Sequence, residues 1–160
     1  MLLAASKIHE VPPKEPVADD PEQTAVGGVD TAVTERIGRR LQDNPRFERV
    51  VSQPSSAPNS VVAEYDLGYF PPAVSAAYLQ IRWYETNDFS IHYSEQYDES
   101  AWECRWDRHP NSHNTRDHFH PPPDAATPGN DTSYATDWRD VLATVLNTLD
   151  DRIQAFWNES

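Results

Sequence analysis

Residues 77–107, AYLQIRWYETNDFSIHYSEQYDESAWECRWD, decide the fold, because apolar and polar side chains alternate through three successive runs. Alternation with a period of two is typical of a strand that buries one face. Short polar turns separate the runs, and such short connections favour antiparallel pairing of consecutive strands. The stretch therefore predicts an antiparallel meander with strands at 77–84, 89–94 and 102–107.

The alternation also assigns side chains to the two faces of this sheet. Arg105 and Asp107 fall on the polar face of the third run, and Arg82 and His92 of the neighbouring runs are expected on the same face. Cys104 alternates with tryptophans on the apolar face and is expected to be a buried small hydrophobe. The sequence thus predicts one apolar face and one face that carries titratable groups.

Elements outside this stretch complete the predicted fold. Residues 47–52 and 61–67 are two further candidate strands. Apolar residues four apart predict a short helix at 30–43, and a long apolar stripe predicts an amphipathic helix that begins near Asp137. We therefore predict an α+β fold, in which an antiparallel four- to five-stranded meander sheet packs on an N-terminal helix and a long C-terminal amphipathic helix.

The domain organisation follows from composition. Residues 1–28 are rich in proline and acidic residues and poor in large apolar groups, which predicts a flexible N-terminal tail. Residues 29–160 are expected to form a single α+β domain. Within it, residues 108–135 lack periodicity and hold many histidines and prolines, and we interpret them as a His-rich loop.

The net charge limits the classes of function. The 160 residues include 13 Lys plus Arg against 26 Asp plus Glu, a formal charge of -13, and only Lys7 and Lys14 are lysines. An acidic, lysine-poor protein suits a halophilic cytoplasm, because concentrated salt screens its self-repulsion. The charge excludes a protein coated in basic patches for duplex DNA, although a local arginine cluster can still bind phosphate.

A cytoplasmic location is expected on two further grounds. Cys104 is the only cysteine, so the chain offers neither an internal disulfide nor a paired-cysteine metal site. No stretch approaches the roughly 18 apolar residues of a membrane span, and the first residues do not fit a signal peptide. We therefore expect no membrane association, and the oligomeric state is left open.

One cluster of titratable residues stands out in the sequence. His118 and His120 are two residues apart, so in an extended segment both imidazoles project to the same side. A polar sheet face with this segment beside it is a plausible floor for an active site. The remaining members of the cluster are Arg105, Asp107, Arg108, His109, His113, Arg116 and Asp117.

Two chemistries fit these groups, and a third interpretation assigns them none. Without a metal, two imidazoles act as general base and general acid on RNA, while Arg105 or Arg116 stabilises the phosphate and Arg82 and Arg108 help to bind substrate. With a metal, zinc or another divalent transition metal is bound and activates water. The third interpretation is a solvent-exposed loop with ordinary ion pairs. The ligands of the metal alternative are Asp107, His113, His118 and His120.

The run CRWDRHPNSH at 104–113, followed by DHFHP at 117–121, resembles the TumE-type family of toxins from toxin-antitoxin systems. The shared pattern is Arg-aromatic-Asp at the end of a strand, a histidine near proline and a final His-x-His. The resemblance implies a small intracellular toxin that acts on RNA and is held inactive by a cognate antitoxin, and the acidic composition makes this chain a haloarchaeal-like member. It carries function onto Arg105, Asp107, His118 and His120, with His113 beside them.

The leading hypothesis from the sequence is thus a toxin-like ribonuclease. In this hypothesis His118 and His120 perform acid-base catalysis, Asp107 orients one imidazole, and Arg105 binds the scissile phosphate. One alternative is a non-catalytic protein-interaction module, which binds a partner through a sheet edge or through the arginine-rich segment from Arg36 to Arg49. The other alternative is a metal-dependent hydrolase.

Overall fold

The computed structural model describes residues 27–54 and 59–158. It confirms the α+β class, with an N-terminal and a C-terminal helix around an antiparallel sheet. The predicted tail lies outside the described residues, apart from Gly27 and Gly28. The elements are α1 (Thr31–Gln42), β1 (Phe47–Gln53), β2 (Ser60–Tyr65), β3 (Ala76–Trp83), β4 (Phe89–Gln96), β5 (Ala101–Arg108), β6 (Asp117–His120), β7 (Asn130–Asp131) and α2 (Trp138–Asn158).

The sheet is larger than the sequence pattern predicts. Within the described residues it has seven strands, in the order β1-β2-β3-β4-β5-β6-β7, and every neighbouring pair is antiparallel. The prediction of four to five strands was therefore too low. The two extra strands lie inside the predicted loop of residues 108–135 and contain only four and two residues, which is too short for a clear periodic signal.

One face of the sheet forms the core of the protein. Cross-strand neighbours on this face include Ile81, Ile91 and Trp106, and all three are buried. Trp83 stacks on Phe89 with ring centroids 4.7 Å apart. Both helices cover this face, since their apolar residues belong to the same buried cluster as the strand residues. Burial of this shared apolar surface is the main force that holds helices and sheet together.

The helices begin and pack as their sequences predict. Asp30 is the N-cap of α1, where its Oδ1 accepts a hydrogen bond from the Val33 backbone N–H at 3.0 Å. Ile37 and Leu41, four residues apart on α1, are buried against the sheet. In α2 the buried stripe runs through Trp138, Val141, Leu142, Val145, Leu149 and Ile153. None of the described helices is both long and apolar enough to cross a membrane.

The opposite face of the sheet carries the polar residues that the alternation predicts. In one cross-strand row His92 lies opposite Arg105, and Arg105 lies opposite His120. In the next row Asp107 lies opposite His118, and Arg82 lies two strands further along. Because side chains in such a row share one face, the fold gathers these groups away from the helix-covered core.

Candidate functional site

Asp107 forms the centre of a polar cluster on the face that the helices leave uncovered. Its side chain is 0 % exposed, so the carboxylate can exist there only if neighbouring groups compensate its charge. Four side chains approach a single oxygen, Oδ2. The distances are 2.6 Å from Arg105 Nε, 3.2 Å from His120 Nε2, 3.5 Å from His109 Nε2 and 3.6 Å from His118 Nε2.

The second carboxylate oxygen of Asp107 is in a different position. Among the described residues, Asp107 Oδ1 is buried and has no hydrogen-bond partner, and the same is true of His109 Nε2. A buried polar atom without a partner costs free energy, so such atoms are rare in folded proteins. The cluster therefore contains an unused acceptor and an unused ring nitrogen that lie close together.

Each imidazole is oriented by a backbone carbonyl. A carbonyl only accepts, so the ring nitrogen that faces it, Nδ1, carries the hydrogen, and Nε2 is the atom turned towards Asp107. This arrangement fixes the tautomer of the neutral ring. The contacts are His109 Nδ1 to Pro110 O at 3.0 Å, His118 Nδ1 to Thr115 O and Arg116 O at 3.1 Å each, and His120 Nδ1 to Ala126 O at 3.0 Å.

Arg105 links His120 to the central carboxylate. Its Nη2 lies 3.0 Å from His120 Nε2, while its Nε donates to Asp107 Oδ2. A guanidinium can only donate, so His120 Nε2 accepts this hydrogen bond and the ring is neutral. His120 thus presents a lone pair that the arginine covers. Arg105 is 25 % exposed, against 3 % for His120, which makes the arginine the most accessible member of the group.

The electrostatic effects on Asp107 and His109 oppose the cost of burial. Burial raises the pKa of Asp107, but hydrogen bonds that the three imidazoles donate to it when they are protonated, together with the positive charge of Arg105, outweigh this and hold the pKa well below its usual value. Burial lowers the pKa of His109, but the carboxylate of Asp107 and the carbonyl of Pro110 outweigh this and raise it. The site therefore stabilises an ionised carboxylate in a buried setting.

Two connecting segments hold the histidines in place: residues 109–116 between β5 and β6, and residues 121–129 between β6 and β7. The backbone N–H of His109 donates to Arg116 O at 2.9 Å, which extends the pairing of β5 and β6 beyond the ends of both strands. Asn114 fastens this segment to the next one, because it donates to Gly129 O at 2.7 Å and accepts from Gly129 N at 3.0 Å. The carbonyls that orient His118 and His120 belong to these two segments.

Gly129 is required by close packing at this point. A Cβ at this position would lie 2.6 Å from the carbonyl oxygen of Phe119 and 3.2 Å from His120 Nδ1. Only a residue without a side chain lets the backbone pass this close behind His120. The glycine therefore permits the second connecting segment to reach its place beside β6.

The structure brings together four of the residues predicted from the sequence. These are Arg105, Asp107, His118 and His120, and the two histidines share one face of β6 as their spacing predicts. Arg82 lies on the same face and makes no hydrogen bond or ion pair with another described residue. It is therefore a positive charge at the periphery of the cluster.

Three other predicted residues lie elsewhere. His113 is exposed on the segment between β5 and β6 and is not part of the Asp107 cluster. Arg116 pairs with Asp88, to whose Oδ1 its Nε donates at 2.7 Å. Arg108 is on the helix-covered side, where its Nε donates to Asp117 Oδ1 at 2.7 Å. None of these three side chains contacts the central carboxylate.

His109 belongs to the titratable cluster predicted from the sequence, but no role at the site was predicted for it. It follows Asp107 by two residues, so continued alternation would have placed it on the same face. The proline after it suggested that the strand pattern had ended, although the backbone pairing in fact continues through this residue. The available signal was the spacing Arg105, Asp107, His109 rather than the His-x-His pair alone.

Asp107, His109 and His118 also have the arrangement of a possible metal-binding group. Each offers one ligand atom, these atoms lie within 4.8 Å of one another, and all three residues are buried. The set differs from the one predicted from the sequence, because His109 takes the place that the prediction gave to His113. His120 lies next to the group but accepts from Arg105.

The fold and the site together define a small α+β protein, whose described residues form a seven-stranded meander with an arginine-aspartate-histidine cluster on the face opposite the two helices. A family model, Toxin TumE, matches residues 36–153, which include the whole cluster. The chain belongs to this toxin family. Comparison with curated proteins gave no match, and neither did comparison with solved structures.

Proposed function

We propose that this toxin cleaves RNA with the cluster around Asp107, and that a cognate antitoxin neutralises it. The observation that supports this proposal is the buried Asp107 carboxylate on the sheet face opposite the helices, contacted on one oxygen by Arg105 and three imidazoles. Ionisable groups held together in this way are typical of a catalytic centre. Imidazoles and a guanidinium are the groups that phosphodiester cleavage requires.

In the proposed reaction Arg105 binds the scissile phosphate. A phosphate that draws the guanidinium towards itself uncovers the lone pair of His120 Nε2, to which Arg105 donates at 3.0 Å in the free protein. Arg82, which shares the sheet face, adds a second positive charge for the RNA backbone. The net charge of -13 opposes RNA elsewhere on the surface, so binding depends on these local cations.

His120 and His118 then transfer the protons. His120 Nε2 removes the proton of the ribose 2′-hydroxyl, whose oxygen attacks phosphorus. The bond from phosphorus to the 5′-oxygen breaks, and this oxygen takes a proton from protonated His118, which leaves a 2′,3′-cyclic phosphate and a free 5′-hydroxyl. Asp107 holds the imidazoles in position and stabilises positive charge on them.

The test is cleavage of a labelled oligoribonucleotide by the purified protein in concentrated KCl, with and without a chelator. The variants are His120→Ala, the double variant with His118→Ala, and His113→Ala as a matched control from the exposed loop. We expect the wild type and His113→Ala to cleave equally. The cleavage rate of His120→Ala is expected to be lower by about 100-fold or more, which is the usual contribution of a general base. An oligonucleotide with 2′-deoxyriboses should resist cleavage.

Three results would overturn parts of the proposal. Wild-type rates in folded His120→Ala protein would remove His120 from the mechanism. Cleavage of the 2′-deoxy substrate would exclude the 2′-hydroxyl as nucleophile. No cleavage by folded wild-type protein would refute the ribonuclease proposal and favour a toxin that acts by non-catalytic protein interaction.

A further inference from the structure

We infer that Asp107, His109 and His118 form a binding site for one divalent transition metal ion of the zinc class. The first argument is distance. His109 Nε2 and His118 Nε2 lie 3.5 Å and 3.6 Å from Asp107 Oδ2. Both distances are long for a hydrogen bond. They are close to the separation of roughly 3.3 Å between two ligands on a tetrahedral zinc ion with bonds of about 2.0 to 2.1 Å.

The second argument is the orientation of the ligand atoms. The Nδ1 atoms of His109 and His118 face carbonyl oxygens of Pro110, Thr115 and Arg116, so the Nε2 lone pairs of the neutral rings point to the carboxylate. Metal-binding histidines usually donate the other ring N–H to a carbonyl or carboxylate in this manner. Without a cation or a proton between them, two lone pairs and an anion would face one another in a buried place.

The third argument is the pair of buried atoms without partners. Asp107 Oδ1 and His109 Nε2 have no hydrogen-bond partner among the described residues, although their side chains are 0 % and 8 % exposed. A cation bound to His109 Nε2 and to the carboxylate would compensate both, which no described donor does. The ring nitrogen without a partner, His109 Nε2, thus lies 3.5 Å from the oxygen Oδ2 that the distances assign to the ion, and Oδ1 is the second oxygen of the same carboxylate.

The proposed ligand set has the composition of a catalytic rather than a purely structural zinc site. It supplies three protein ligands, two nitrogens and one oxygen, and leaves a fourth position for water or substrate. His120 is excluded as a fourth ligand while its Nε2 accepts from Arg105. Imidazole and carboxylate together suit zinc and other late first-row divalent ions better than magnesium or calcium.

The test measures metal binding without RNA. The full chain is stripped with a chelator and titrated with zinc chloride against a chromophoric competitor, and cobalt(II) chloride provides visible absorption bands that report coordination geometry. We expect one equivalent of zinc and a tetrahedral cobalt spectrum. His109→Ala and Asp107→Asn should each weaken zinc binding by about 100-fold or more, since even loss of an outer-shell partner typically costs 10- to 100-fold.

His113→Ala is the matched control, because this exposed histidine lies on the same segment but outside the proposed ligand set. It should bind zinc as the wild type does. Less than about a tenth of an equivalent of zinc on folded wild-type protein, or equal losses in the His113 and His109 variants, would refute the site. Circular dichroism of each variant checks that it is folded. If either His109→Ala or Asp107→Asn does not fold, the other still tests the site.

The metal proposal and the ribonuclease proposal fail separately. Metal binding makes His118 a ligand and takes it out of proton transfer, whereas metal-free catalysis keeps it as the acid. Zinc binding without cleavage refutes only the reaction, and cleavage by a protein that binds no zinc refutes only the metal site. Cleavage that appears on addition of zinc to stripped protein and disappears with His109→Ala supports the metal site and a catalytic function, and it refutes the role of His118 as the acid of a metal-free reaction.

Discussion

The two faces of the sheet each bury a carboxylate, and the two carboxylates differ in how many of their oxygens accept hydrogen bonds. Glu95 on the helix-covered face and Asp107 on the uncovered face are both 0 % exposed. Glu95 uses both oxygens: Oε1 accepts from Arg152 at 2.8 Å and from Tyr97 at 2.9 Å, and Oε2 accepts from Tyr93 at 2.6 Å. Asp107 uses only Oδ2 and leaves Oδ1 without a partner among the described residues.

The difference fits a structural role for Glu95 and supports the functional role proposed for Asp107. Arg152 comes from α2 and also lies 3.3 Å above the centroid of the Trp102 ring, so its pairing with Glu95 fastens the long helix to the sheet. Every contact of Glu95 is made within the protein, and nothing is left for a ligand. Asp107 gathers groups that can bind or move protons while one oxygen stays unused, which is typical of a site that is completed by something else.

The largest expected effect in this comparison is on stability, from Glu95→Gln. The substitution removes the negative charge that compensates Arg152, and breaking a buried ion pair on one side costs about 3 to 5 kcal/mol. Urea unfolding followed by fluorescence measures the loss. Replacement of both Glu95 and Arg152 by leucine should recover a large part of it, because neither charge is then left alone. A loss below about 1 kcal/mol for Glu95→Gln would show that the pair does not fasten the helix.

The next effect is expected from Gly129→Ala, behind the functional face. The added methyl group would meet the Phe119 carbonyl at 2.6 Å, so the backbone must shift, and overpacking of this kind costs about 1 to 3 kcal/mol. RNA cleavage should fall as well, because His120 Nδ1 lies against the same position. Gly28→Ala is the control, since its nearest contact is an ordinary 3.5 Å to Glu85 Oε2 and its cost should be within about 0.5 kcal/mol. Equal losses in the two variants would contradict the packing argument.

The covered face is also the part of the fold that sequence patterns predict best. The alternation through β3, β4 and β5 predicts the faces of these strands, and the apolar stripe predicts α2, because both patterns follow from burial against one core. β6 and β7 were missed, since β6 buries histidines rather than apolar residues towards the uncovered face. Their place depends on pairing with β5, a long-range contact that local periodicity does not contain.

The face opposite the helices was predictable only in part, because local periodicity does not contain the long-range contacts that complete it. Alternation places Arg105 and Asp107 on one face, and the two-residue spacing places His118 and His120 on the same side of an extended segment, but neither pattern indicates which other loop residues return to them. His109 joins through backbone pairing beyond the end of β5, and His113 turns away into solvent. Arg108 illustrates the opposite error, because the alternation that places Asp107 on the polar face places Arg108 on the other. Its buried pair with Asp117 could not be inferred from composition.

Asp107→Asn should sharpen the comparison with Glu95→Gln. The variant keeps the shape of the side chain, and its amide can donate to an imidazole lone pair. It also removes the charge that compensates Arg105, but Arg105 is 25 % exposed and can turn to solvent, whereas Arg152 is packed on the rings of Trp102 and Phe156. We therefore expect a loss of about 1 to 2 kcal/mol in the free energy of unfolding. Cleavage of RNA, in contrast, should be lost. The measurements are urea unfolding and the cleavage assay on the same preparations. A loss of stability as large as that of Glu95→Gln would mean that both carboxylates are structural.

The smallest expected effect concerns Cys104, which lies on the covered face. Burial, with a further contribution from Glu95, raises its pKa from 9.0 to about 12. The native state therefore holds the protonated thiol, and stability falls as the pH rises above about 9, where the unfolded thiol ionises. Between pH 7 and pH 9 this contribution is only about 0.4 kcal/mol. It is measured as the difference between the pH dependences of urea unfolding for the wild type and Cys104→Ala, in which all other groups cancel.

Thiol labelling at pH 8 provides a more sensitive measure of the same shift. Between a pKa of 9.0 and one of about 12 the thiolate fraction falls about a thousandfold, and the thiolate is the reactive form. Folded protein should therefore react with a disulfide reagent only as fast as it opens, and addition of urea should restore the full rate. Fast labelling of the folded protein would mean that the helix-covered face admits solvent. This result would contradict the contrast between the two faces, because the face around Glu95 would then be open to solvent.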